Sequence, residues 1–192
     1  PLIIKATGGY GDNIRKIKTV LTIHNIEYQG KADKSFITEV LGIDPEWGGA
    51  AEFDGCFNSL KCGIVLCDRL STVSPTYAFE LRHAYFAHGL SRIISENSYK
   101  MKGILNGIGD NVNPKDDGFI YKKYWAGRYK TKCDNKAMLQ RELGLIENPD
   151  IPVFAVISRL VDHKGIPLIE RVGENIPLEG AQLVVIGTGE KR

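Results

Sequence analysis

Apolar positions in this chain come in short runs parted by polar, glycine-containing stretches, and the spacing within each run predicts the elements. Lys18-Thr19-Val20-Leu21-Thr22-Ile23 is a β-branched run that reads as a buried strand ending at His24-Asn25. Asp68 to Val73 reads as a second strand, and Met101 to Leu105 as a third, closed by Asn106-Gly107. Between the first two, Phe53, Phe57, Leu60 and Ile64 recur at helical spacing with Val65 beside them. Ser74 is placed to cap a further helix, with Pro75 at its first position and Tyr77, Leu81 and Tyr85 along one face. Residues 1–17, with Gly8, Gly9 and Gly11 close together, read as irregular.

Residues 109–132 lose this periodicity. They are rich in Gly, Asp, Lys and Tyr and read as an extended crossing segment. Asp134 is then placed to cap a helix holding Met138, Leu139 and Leu143, with Gly144 at a left-handed end. Val153-Phe154-Ala155-Val156-Ile157 predicts a buried parallel strand, followed by a helix from about Gly165 to Val172. A last strand, Gln182 to Ile186, runs into Gly187-Thr188-Gly189. Strands alternating with helices imply βαβ units and parallel sheet. The expected organisation is one α/β unit over 1–132, including the crossing segment, and a second over 133–192.

Bulk properties narrow the function classes. Lys plus Arg number 25 and Asp plus Glu 23, a net charge of +2, so no overall field draws the chain to nucleic acid or an anionic membrane. Any anion binding must come from a local cluster. No apolar run approaches the roughly 18 residues that span a bilayer, and the amino terminus shows no signal-peptide pattern, although Pro1 points to a start further upstream. Cys56, Cys62, Cys67 and Cys133 show neither metal-ligand spacing nor the density of a disulfide scaffold, and three of them fall in a segment read as helical and apolar. His83, His88 and His163 share no plausible spacing with carboxylates or thiols. The expectation is a reduced, cytoplasmic protein without a metal.

Candidate chemistry gathers where strands end. The strand 153–157 empties into Ser158-Arg159-Leu160-Val161-Asp162-His163-Lys164-Gly165. Ligands of open α/β sheets bind outside the carboxyl ends of strands, where Arg159 could offer a planar fork of donors and Lys164 a compact charge to a diphosphate. The same residues also suit a solvated surface loop. His24 and Asn25 place a donor–acceptor imidazole and an amide at a strand end, which suits sugar hydroxyls, though a histidine there is often structural. Asn106-Gly107 fits a pocket or a plain turn. Gly187 to Gly189 would admit a phosphate or a base close to the backbone, or merely turn the chain. Tyr121, Tyr124, Trp125 and Tyr129, interleaved with Lys122, Lys123, Arg128 and Lys130, could stack on sugars or pack the crossing segment.

Taken in order, these stretches resemble the glycogen and starch synthases. The matching blocks are Thr19 to Asn25 with Tyr28-Gln29-Gly30, Asn58 to Ile64, Thr72 to Ala78, and Gly103 to Ile108. Asn135-Lys136 with Leu139-Gln140 and Leu143-Gly144-Leu145, Ser158-Arg159-Leu160 with Lys164-Gly165, and Gln182 to Gly189 complete the series. The resemblance implies two Rossmann-like domains with parallel sheets facing a cleft, the GT-B arrangement, each incomplete here. It also implies transfer of glucose from ADP-glucose or UDP-glucose to the non-reducing end of an α-1,4-glucan, with retention, no metal and no other cofactor. By position, Arg159 and Lys164 match the pair on the donor diphosphate, and His24 the histidine near the transferred glucose, with Asn25 and Tyr28 beside it. Asn106 matches a donor-pocket asparagine, and Gly187, Thr188 and Gly189 a loop beside the nucleotide.

Departures from the family pattern set further expectations. Lys5-Ala6-Thr7-Gly8-Gly9-Tyr10-Gly11 echoes the family's amino-terminal lysine-glycine motif with an extra residue and far too close to Lys18, which implies a large internal loss. Gly109 stands where the family usually has an aspartate, and the chain stops before the family's paired-glutamate motif. A small second domain buries little area. Poor donor binding and slow turnover, or a glucan- or nucleotide-binding chain without catalysis, are therefore expected. A phosphorylase-like or sucrose-type transferase is disfavoured by the Thr-Ile-His-Asn strand and by the block at 103–108.

Overall fold

A computed structural model describes residues 1–7 and 16–189. The chain divides into two compact units, Pro1–Gly107 and Ile108–Arg192, so the crossing segment groups with the second. The sequence expectation had placed that segment with the first.

The first unit opens with helix α1 (Leu2–Ala6), where an irregular stretch was expected. Leu2 is the reason: it buries with Ile37, Ile43, Ala51, Phe57 and Cys62, so the segment is tied down by a core contact. The glycines at 8, 9 and 11 lie outside the described residues. Strand β1 (Val20–Ile23) follows, then β2 (Lys31–Ala32), helix α2 (Gly48–Ala51), β3 (Glu52–Phe53), β4 (Cys56–Asn58) and helix α3 (Ser59–Leu66). The helical spacing from Phe53 to Ile64 was misleading. Asp54 at φ 54° and Gly55 at φ 76° turn the chain between β3 and β4, and the two strands pair antiparallel. Two successive positive φ values cannot continue a helix, and Asp-Gly is the pair that tolerates them in a tight hairpin. Helix α3 therefore starts only at Ser59, with the Asn58 side chain accepting from the Lys61 amide at 2.8 Å. Of Cys56, Cys62 and Cys67, only Cys62 is helical, and all are free thiols.

Strand β5 (Arg69–Thr72), helices α4 (Pro75–Glu80) and α5 (Ser91–Glu96), and strand β6 (Met101–Gly103) complete this unit. Ser74 caps α4 as its sequence predicts, its hydroxyl accepting from the Tyr77 amide at 2.9 Å. The helix ends before Tyr85, which is exposed. The main sheet runs β1-β5-β6, all parallel, pairing Ile23 with Thr72 and Thr72 with Gly103. Ile23, Ile26, Ile64, Leu70, Leu81, Leu90 and Ile94 form its core. Two buried lysines finish helix ends. Lys61 Nζ donates to the carbonyls of Gly49 in α2 and Glu52 just after it, and Lys100 Nζ donates at 2.9 Å each to those of Val65 in α3 and Cys67 just after it.

The second unit is built from helix α6 (Tyr129–Glu142), strand β7 (Val153–Ile157), helices α7 (Ile166–Val172) and α8 (Asn175–Leu178), and strand β8 (Gln182–Ile186). Helix α6 begins before Asp134, whose carboxylate pairs with Lys122 Nζ at 2.9 Å instead of capping. Gly144, at φ 66°, ends it in the left-handed form expected. Strands β7 and β8 pair parallel from Val153–Gln182 to Ile157–Ile186. Strand β7 is not buried as predicted: Phe154 is 55% exposed and Ile157 75%. A parallel sheet is ordinarily covered on both faces, and a two-stranded one offers its helices little to cover. Among the described residues of this unit Ile166 is the one buried apolar side chain. The closest packing is polar. Gln140 Nε2 donates to Gln182 Oε1 at 2.8 Å, and Gln182 Nε2 to the Ile146 carbonyl at 2.8 Å, both glutamines being buried.

One carboxylate makes the first unit's stability depend on pH. The backbone N–H of Thr19 donates to Asp68 Oδ2 at 2.8 Å and its hydroxyl to the same oxygen at 3.0 Å. These bonds, led by the backbone one, hold the Asp68 carboxyl below its ordinary range, with smaller help from Lys18 and Lys5. A depressed carboxyl stabilises the fold above its unfolded pKa, about 3.9, and that stability is lost as pH falls through the lower folded value. Thermal unfolding should therefore separate wild type from Asp68→Asn most widely above about pH 5, the gap closing below about pH 3.9. A gap of constant size across that range would show that the carboxylate is not responsible.

Candidate functional site

Parallel pairing brings the carboxyl ends of β1, β5 and β6 to one edge of the first unit. His24 and Asn25 follow β1, Ser74 and α4 follow β5, and Ile104 to Gly107 follow β6. Backbone closure at this edge is tight: Thr72 Oγ1 donates to the Ile23 carbonyl at 2.9 Å, and the Ile104 amide to the Thr72 carbonyl at 2.8 Å. Gly103 is required there, because a Cβ would lie 2.2 Å from the Ser74 carbonyl oxygen. His24 and Asn106 are exposed on the loops that leave the outer strands, whose ends, with β5 between them, stand roughly 10 Å apart, two strand spacings.

The loop after β1 is ordered by its own polar groups. Asn25 Oδ1 accepts from the Glu27 amide at 2.9 Å, an Asx turn, and the buried Ile26 donates its N–H to the Tyr77 hydroxyl at 3.2 Å. Tyr28 is 57% exposed, and Gln29 beside it is buried. Lys5 is not brought to this edge. It sits in α1, and its charge acts on Asp68, which precedes β5 at the sheet's amino end.

The second unit has the same kind of edge. Beyond Ile157 and Ile186 the two chains continue side by side. The Ser158 amide donates to the Ile186 carbonyl at 3.1 Å, the Leu160 amide to the Thr188 carbonyl at 2.8 Å, and Leu160 bridges Gly189. A Cβ at Gly187 would lie 2.0 Å from the Ser158 carbonyl oxygen, and one at Gly189 2.6 Å from that of Leu160. These glycines thus have a packing reason to be glycine. Arg159 and Lys164 are exposed on the segment they pin. Lys164 ends a 3-10 turn (Asp162–Lys164), and Gly165 at φ 77° swings the chain into α7. The structure thus puts Arg159, Lys164 and Gly187 to Gly189 on one edge.

Two cavities lie away from these edges. One of about 510 Å³ opens beside α1 and α3, against Leu2, Phe36 and Phe57, and one of about 520 Å³ opens between α6 and the amino end of β7. Tyr124 and Tyr129 line the latter. Tyr121, Trp125 and Tyr129 are more than half exposed, with the Arg128 guanidinium 4.9 Å from the Trp125 ring centre. Among the described residues no cluster of three or more His, Cys, Asp or Glu could hold a metal, and no helix is long and apolar enough to cross a membrane. Sequence reading missed Gln29 and Asn58 as determinants of the β1 loop. The polar Asn58-Ser59 pair before an apolar run was the available signal.

Parallel strands whose carboxyl edges carry exposed polar and charged side chains define an α/β fold of the kind whose ligands bind at such edges. Comparison makes this specific. A starch synthase catalytic domain family model matches residues 1–96. Glycogen synthase from Clostridium novyi is 41% identical over 182 residues, covering 93% of this chain and 38% of that protein. Glycogen synthase from Ligilactobacillus salivarius is 37% identical over 193 residues, covering 99% and 40%. The solved catalytic domain of starch synthase IV from Arabidopsis thaliana, bound to ADP and acarbose, matches with a TM-score of 0.88 at 31% identity, over 100% of this chain and 40% of that one. The chain belongs to the starch synthase catalytic domain family. It spans about 40% of the length of the curated relatives it matches. An alignment of 193 residues that takes in 99% of the chain leaves no room for a large internal gap. The internal loss expected between Lys5 and Lys18 is therefore corrected.

The clash distances give a direct test. Gly187→Ala should lower the thermal stability of the second unit, by about 1–3 kcal/mol as overpacked sites do, with or without nucleotide present. An unchanged unfolding temperature alongside lost ADP binding would instead assign the glycine to ligand contact alone.

Proposed function

We propose that this chain carries the site residues of a retaining glucosyltransferase that moves glucose from ADP-glucose to the non-reducing end of an α-1,4-glucan. What carries the reading is the coincidence of family membership with placement: His24, Asn25, Asn106, Arg159, Lys164 and Gly187 to Gly189 all fall at carboxyl edges of parallel strands. In the second unit, Arg159 and Lys164 would bind the donor diphosphate and neutralise the charge that develops on the leaving nucleotide as the glycosidic bond breaks. Thr188 and its flanking glycines would border the nucleotide. In the first unit, His24 would lie near the transferred glucose, and the amides of Asn25 and Asn106 would donate to and accept from sugar hydroxyls. Tyr28, an exposed ring, would contact a sugar face. No step of this chemistry calls on a metal or another cofactor. The partners are ADP-glucose and glucan, with neither nucleic acid nor membrane involved, and the setting is cytoplasmic.

A second reading, glucan or nucleotide binding without turnover, is supported by the thin apolar core of the second unit, where Ile166 is the one buried apolar side chain among the described residues. Incorporation of labelled glucose from ADP-glucose into glycogen separates the two, because binding without incorporation would leave only the second. For the diphosphate, titration calorimetry with ADP should show Arg159→Ala and Lys164→Ala each weakening affinity about tenfold or more, the equivalent of one lost charged hydrogen bond. Unchanged affinity in both variants would remove the assignment.

A further inference from the structure

We infer that Gln29 and Asn58 are positioning residues, a buried amide pair that fixes the loop presenting His24, Asn25 and Tyr28. The inference rests on the functional reading above for what that loop contacts. Asn58 is 0% exposed and Gln29 5%. Asn58 Nδ2 donates to Gln29 Oε1 at 2.7 Å, and Gln29 Nε2 donates to the His88 carbonyl at 2.9 Å. Asn58 Oδ1 accepts from the Lys61 amide. The loop backbone answers the same helix: the Ser59 amide donates to the Gly30 carbonyl at 3.1 Å and the Leu60 amide to the Gln29 carbonyl at 2.9 Å. Three amides of the first turn of α3, which a helix leaves without internal partners, are thus taken by Asn58 and by the β1 loop itself.

The directions of these bonds matter. An amide donates and accepts at once, and this chain needs both at Gln29 and both at Asn58. Gly30, at φ 60°, lets the loop approach so closely that a Cβ would lie 2.9 Å from Ser59 Cβ. On the far side, His88 holds a left-handed φ of 47° and Gly89 one of 89°, which aims the His88 carbonyl at Gln29. Tyr28 lies between two anchored residues, Ile26 on the Tyr77 hydroxyl and Gln29 on Asn58. The backbone that carries its exposed ring is therefore held by buried groups.

Asn58→Asp separates positioning from helix capping. The carboxylate still accepts from the Lys61 amide at a favourable helix end, but it cannot donate to Gln29. At pH 8, Asn58→Asp, which buries a carboxylate against the Gln29 oxygen, should unfold at a clearly lower temperature, exchange its Ile26 and Leu60 amides faster than the loss of global stability accounts for, and bind maltoheptaose about tenfold more weakly by calorimetry. Gln29→Glu, which keeps the acceptor and loses the donor to His88, should behave alike. Combined with Tyr28→Ala, Asn58→Asp should weaken binding by less than the sum of the two single effects, because both act in part through that ring. Full additivity, or unchanged exchange at Ile26 and Leu60, would overturn the inference. Failure of the wild-type chain to bind maltoheptaose would defeat the functional reading, and the exchange rates would still decide the positioning.

Discussion

Parallel pairing is the constraint on which the rest of each unit depends. Strands that run the same way must end at the same edge, and the loops that leave them carry whatever side chains the sequence supplies there. In the first unit β5 lies between β1 and β6, so residues far apart in sequence, His24 and Asn106, are delivered to one edge. The price is steric. Chains crowd where they leave the sheet, and Gly103 exists because the Ser74 carbonyl occupies the space of a side chain. Gly187 and Gly189 answer the same demand against Ser158 and Leu160. Glycines at such edges thus report backbone crowding first, and room for a ligand only second.

Buried amides recur as the devices that lock loops to elements. Asn58 and Gln29 join the β1 loop to α3, and Gln140 and Gln182 join α6 to β8. Both pairs have their donors and acceptors engaged, and no buried side-chain N or O lacks a partner among the described residues. A buried amide left half-satisfied costs about 1–3 kcal/mol, so such a pair tolerates one geometry. In the first unit this acts on top of two apolar clusters. In the second it carries a larger share of the structure, since apolar burial there is slight.

How far the sequence was legible follows from which forces are local. Strands β5, β7 and β8 and the cap of α4 were readable because β-branched runs, Ser-Pro and terminal glycines act through neighbours. The region from Phe53 to Phe57 was misread because apolar spacing was counted while Asp54-Gly55, a hairpin signal, was passed over. Helix α1 was missed because its order comes from Leu2 meeting Ile37 and Phe57, contacts remote in sequence. The exposure of β7 could not be foreseen either: an apolar run announces a strand but not how many neighbours will cover it. Site candidates were legible by type and by position after strands. What placed Lys5 away from them was topology, which sends it to the amino end of the sheet.

Arg159 and Lys164 are held by different means, and this bears on how they could share one anion. Arg159 lies within the stretch that runs on beside β8, between Ser158 and Leu160, whose amides are bonded to the Ile186 and Thr188 carbonyls. Its backbone position is therefore set by the sheet. Lys164 ends a 3-10 turn and precedes a left-handed glycine, so its position is set by a local turn. A guanidinium needs a fixed base because its fork recognises oxygen pairs by geometry, whereas an ammonium on a flexible stem acts as a point charge and tolerates a less rigid one. The backbone supports match those needs, so under the proposed function Arg159 would orient the diphosphate and Lys164 would compensate its charge.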